Sequence, residues 1–82
     1  MKTHNLQLLK GSFTKEEAIS LLTRLVDVKI KYHEDKIHQT SSEEDIKMRE
    51  NRIKQLQKEL YEARLHIEKQ QGRIELNSEI IL

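Results

Sequence analysis

Residues 15–38 carry more apolar side chain than one neighbouring helix can cover, and that excess limits what the chain can fold into. On a helical wheel Ala18, Ile19, Leu21, Leu22, Leu25, Val26, Val28, Ile30, Tyr32 and Ile37 fall within an arc of about 200°. Glu16, Glu17, Ser20, Thr23, Arg24, Asp27, Lys31, Glu34 and Asp35 fill the rest. An ordinary surface helix needs an apolar stripe of only about 100°. The spacing predicts a helix over residues 15–38 with apolar neighbours on two sides. Its start is written locally. Thr14 can accept from the Glu17 amide while the Glu17 carboxylate reaches back to the Thr14 amide, a capping box, with Phe13 and Ala18 at staple positions.

A second helix is predicted over residues 43–71, after a connector at 39–42. Ser41 and Glu44 form a second capping box, and acids crowd the new N-terminus, where the helix dipole favours them. Ile46, Ile53, Leu60, Ile67 and Ile74 recur every seven residues, with Leu56 and Ala63 between them. Arg49 and Gln70 break that seam. Glu43–Lys47, Asp45–Arg49, Glu50–Lys54 and Glu62–His66 are favourable pairs four apart, each adding only tenths of a kcal/mol. Gly72 stops the helix. After it Ile74, Leu76, Ile80 and Leu82 alternate with Glu75, Asn77 and Glu79, the period of a half-buried strand over 74–82. At the other end Leu6 and Leu8 share one side of a strand over 4–9, followed by a turn at Gly11 and Ser12.

The expected fold is therefore mainly α: a long antiparallel, coiled-coil-like helical hairpin whose terminal strands meet and pair, β-α-α-β, in one domain of 82 residues. The lack of proline fits uninterrupted helices. So short a chain has a thin core, and a lone two-stranded ribbon is marginal in water. A homodimer answers both needs as a four-helix bundle. Leu22, Leu25, Val26, Ile53, Leu56, Leu60 and Ile67 are the expected packing and dimer-interface residues.

Most chemical functions lack their residues here. The formal net charge of +1 mixes both signs along the chain, which disfavours nucleic acid as a partner. No cysteine is present, so disulfides and thiolate chemistry are excluded, in keeping with a cytoplasmic location. The N-terminal apolar run is too short for a signal peptide, and no segment has the length to cross a membrane. The stretch YHEDKIH places His33 and His38 five apart, whereas a zinc protease helix needs its histidines four apart on one face. The serines lack a nucleophile elbow, and neither glycine belongs to a phosphate loop. No enzyme activity, metal or cofactor is expected.

Lys29, His33 and Lys36 stand out because Lys29 and His33 interrupt the apolar arc, with Lys36 close to the same line. Their stems can cover apolar surface while their heads find acids on the second helix or on another chain. Alternatively, the three line a site for an anionic ligand or nucleic acid. The runs GSFTKEEAISLL and KIKYHEDKI resemble a group of small bacterial proteins of Bacteroidota type with no established activity. That resemblance covers residues 11–37 and draws attention to Lys29, Tyr32, His33 and Glu34 without giving them a role. The expected function is that of a non-enzymatic, self-associating interaction or scaffold protein, with an unidentified protein as a further partner.

Overall fold

A computed structural model describes residues 2–82. Strand β1 (Asn5–Phe13) leads into helix α1 (Lys15–Gln39), helix α2 (Glu43–Lys69) and strand β2 (Ile74–Ile81). The order is the expected β-α-α-β, with β1 and β2 paired antiparallel.

α1 begins with the capping box that the sequence predicts. The Glu17 amide donates to Thr14 Oγ1 at 3.1 Å, and the Thr14 amide donates to Glu17 Oε1 at 2.9 Å. Hydrogen bonding by the Thr14 backbone N–H, and after it by the Thr14 side chain, holds the Glu17 carboxyl below its ordinary pKa. α2 departs from expectation. Its cap is Ser42, whose hydroxyl accepts from the Asp45 amide at 3.3 Å, so Ser41 and Glu44 form no box. Ser42 is itself held by Thr40 Oγ1, at 3.2 Å from its amide, so the cap lies one residue later than expected while the helix starts at Glu43 as the spacing predicts.

The seven-residue spacing of α2 tracks its burial. Ile46, Arg49, Ile53, Leu60 and Ala63 are half-buried and Leu56 and Ile67 buried, whereas every other α2 residue except Asp45 is exposed. The helix ends at Lys69, two residues before the expected limit. Gln70 turns to an extended conformation, and Gly72 adopts φ 82°, which an L side chain would strain. Ile74, the next heptad position, is instead the first residue of β2.

The ribbon corrects the reading of the N-terminal strand. Gly11 and Ser12 are paired with Leu76 and Glu75 and form no turn. Gly11 has φ 148°, an extended conformation open to glycine. Leu8 is the extra residue of a bulge between Gln7 and Leu9. The bulge shifts the alternation by one, so Leu6 shares a face with Leu9, Gly11 and Phe13 and not with Leu8. Opposite lie Ile80, Ser78, Leu76 and Ile74. Without the bulge, Gln7 and Asn5 would occupy that face. Gln7 instead donates to Glu79 at 2.8 Å on the other side. The ladder reaches His4 and Leu82, which exchange both backbone hydrogen bonds.

The core sits where ribbon and hairpin meet. Ala18, Ile67 and Ile74 form it, with Phe13, Ile19, Leu22 and Leu76 packed around them. Arg73 locks the ribbon base through Ser12, donating from Nε to the hydroxyl at 2.8 Å and from Nη2 to the carbonyl at 2.9 Å. Lys15 Nζ donates to the Glu68 carbonyl at 3.2 Å, satisfying one of the free carbonyls at the end of α2.

The molecule is one layer thick, with principal extents of 47 × 38 × 14 Å. Compact domains bury their apolar faces between at least two layers. Among the described residues only Ala18 is fully buried, and Leu56, Ile67 and Ile74 keep up to 9% of their surface.

Candidate interaction site

Two groups of residues stand out on this thin frame. The first is a polar layer across the α1–α2 seam. His33 on α1 meets Arg49 on α2, with Arg49 Nη1 3.1 Å from His33 Nδ1. Arg49 Nε also reaches Asp45 Oδ2 at 3.4 Å. Arginine can only donate, so Nδ1 accepts and the imidazole proton lies on Nε2. Nε2 is buried and has no protein partner. Partial burial holds the His33 pKa below its ordinary value, and the charges of Arg49, Lys29 and Arg52 push the same way. Imidazole and guanidinium share one hydrogen bond only while His33 is neutral.

Arg49, which interrupts the α2 heptad in the sequence, is therefore the partner of the histidine that interrupts the apolar arc of α1. Tyr32 closes the cluster. Its ring meets His33 edge-on at 5.4 Å between centroids. Lys36 Nζ and the Arg49 guanidinium lie 5.8 and 5.9 Å from its centre, within cation–π reach.

Of the three residues singled out as an anion site, Lys29 is exposed, His33 is engaged with Arg49, and Lys36 lies over Tyr32. Neither lysine meets an acid of α2; among the described residues the ion pairs are Lys31–Asp27 and Arg49–Asp45. Arg49 and Arg52 join the cluster, although the sequence pattern does not single them out as members. Arg49 does carry a signal, as a cation in a seam position. No three histidine, aspartate or glutamate side chains converge among the described residues.

The second group is apolar. Leu22, Val26, Ile53 and Leu60 are half-buried, and Leu56 and Ile67 buried. Leu25 is half-buried away from that seam, in a row with Leu21, Val28 and Tyr32. Val28 and Tyr32 remain 68% and 54% exposed. The outer ribbon adds Leu6, Leu8 and Ile80, all exposed. None of the described helices is long and apolar enough to cross a membrane. Comparison with protein-family models, curated proteins and solved structures finds no match to this chain.

Proposed function

We propose that the protein is a non-enzymatic interaction module that works as a homodimer, presenting a helical-hairpin scaffold. A single layer with uncovered apolar side chains carries this reading. The thickness of 14 Å leaves Val28 and Tyr32 on α1 and Leu6 and Ile80 on the ribbon exposed, with Leu25 only half-buried between the first two and Leu21. A second copy supplies the missing layer and adds to a core that is thin for a chain of this length. Sedimentation equilibrium at micromolar concentration should return twice the chain mass of 9.8 kDa. A well-folded species of single-chain mass would overturn the proposal.

A second reading rests on charge. Lys29, Lys36, Arg49 and Arg52 surround Tyr32 and His33, with Asp45 as the acid paired among them. Such a cluster suits an anionic ligand or a nucleic-acid phosphate. Binding of inorganic phosphate or a short oligonucleotide would weaken with salt and with Lys29→Ala. Calorimetric titrations that show no heat with either would remove it.

A further inference from the structure

We infer that the second copy docks on α1 itself: two α1 helices pair antiparallel about Leu25, through Leu21, Leu25, Val28 and Tyr32. The inference rests on the self-association proposed above and specifies its surface and orientation.

Ala18, Leu21, Leu25, Val28 and Tyr32 are spaced alternately three and four apart, the repeat of a helix-pairing seam. This row lies about 100° around α1 from the row Leu22, Val26 and His33 that faces α2. The ribbon base already covers Ala18, and the remaining members are half-buried or exposed. α2 has no such second row. Its exposed apolar residues, Met48, Tyr61 and Leu65, are scattered among charges.

The flanking charges choose the orientation. On the side away from α2 the row is bordered by Glu17, Arg24 and Lys31, and on the other side by Leu22, Lys29 and Lys36. A parallel, in-register pair would set Arg24 against Lys29 and Lys31 against Lys36 of the partner subunit, all repulsive. Antiparallel pairing about Leu25 sets Leu21 against Val28 of the partner subunit, in both directions. Glu17 then meets Lys31 of the partner subunit twice, against one like-charged contact of Arg24 with its own copy and two of Lys36 with Lys15 of the partner subunit. The parallel pair has four repulsive contacts and no attractive one. Border charges of this kind set pairing direction in helical seams. Lys31 is free to respond, because its present link to Asp27, 3.3 Å long, is largely exposed.

The chain has no cysteine, so single-cysteine nitroxide variants test the geometry without background. Arg24 and Asp35 are exposed on the same flank. Antiparallel pairing places the two labels of Arg24→Cys about 3 Å apart along the axis and those of Asp35→Cys about 30 Å apart. Equal distances at both positions in dipolar spectroscopy would overturn the orientation and leave self-association intact. Val28→Glu should preserve helicity and weaken dimerisation more than about tenfold. Lys31→Glu should weaken it too, whereas a parallel pair would tighten. A dimer unaffected by Val28→Glu refutes this seam alone; a folded single chain in the wild type refutes the self-association as well.

Discussion

α1 and α2 are nearly equal in length and pack on each other, yet they use their apolar residues differently. α2 spends its apolar residues on one seam, and charge surrounds the rest. α1 has the same seam and a second one beside it. The contrast shows that two helices of similar length, packed on each other, can leave very different amounts of apolar surface uncovered, because the widths of their apolar arcs differ. A helix whose apolar surface matches one neighbour is finished by a hairpin, and a wider one is left incomplete.

The largest expected effect contrasts a residue of the finished seam with one of the unfinished seam. Ile67 is 4% exposed in the core with Ala18 and Ile74. Ile67→Ala should cost about 2–4 kcal/mol by removing buried methyl groups and leaving a cavity. Val28, 68% exposed, sits on the open seam of α1. Val28→Ala should change the stability of a single chain by less than about 0.5 kcal/mol. Urea unfolding of both variants at several protein concentrations separates the two. A concentration-dependent midpoint lowered by Val28→Ala would locate that side chain in the dimer contact, whereas equal losses for both variants would break the contrast.

The helix starts differ next. Thr14 and Glu17 satisfy each other's amides, while Ser42 accepts from Asp45 with nothing returned. Thr14→Ala should cost about 1–2 kcal/mol and Ser42→Ala about 0.5–1 kcal/mol. Thermal melts of the two variants give the order, and a larger loss at Ser42 would show that the tip of the hairpin, not its base, controls the fold.

The same caps mark how far local sequence reaches. Thr14 and Glu17 are legible because both partners lie within one turn. The seam of α2 is legible because its period repeats. Ser42 is misread as Ser41 because Thr40 decides the choice through its own hydroxyl. The bulge at Leu8 is further from reach. It depends on which residue of β2 lies opposite, and Leu6 and Leu8 alone suggest an unbroken alternation. The pairing of His33 with Arg49 is non-local in the same way. Each is visible as an oddity in its own helix, and only the alignment of the hairpin makes them partners.

That polar layer predicts a pH response. His33 binds its proton more weakly in the folded chain than in the unfolded one. The unfolded chain therefore gains more protons once pH falls below its histidine pKa of about 6.5. The contribution from neutral His33 is complete above that value and declines as pH drops toward the lower, folded value. Acidification from pH 7 to 5 should lower the melting temperature, and His33→Leu should flatten that slope. An unchanged slope in the variant would show that His33 is not the group responsible.

The smallest effect compares the ion pairs, one on each helix. Asp27–Lys31 on α1 leaves its side chains 57% and 69% exposed, whereas Asp45–Arg49 on α2 leaves 30% and 21%. Their separations, 3.3 and 3.4 Å, are nearly equal, so burial and the second bond of Arg49 to His33 make the difference. Asp27→Asn should change stability by no more than a few tenths of a kcal/mol, and Asp45→Asn by about 0.5–1 kcal/mol. Added salt should erase the first effect and leave much of the second, because screening reaches exposed charges more readily than half-buried ones. Denaturation of the two variants at about 0.05 and about 1 M salt, concentrations that span roughly 14 to 3 Å of screening length, reads both differences. Equal salt sensitivity would mean that the Asp45–Arg49–His33 layer is as open to water as the outer surface of α1, and the contrast between the two pairs would then fall.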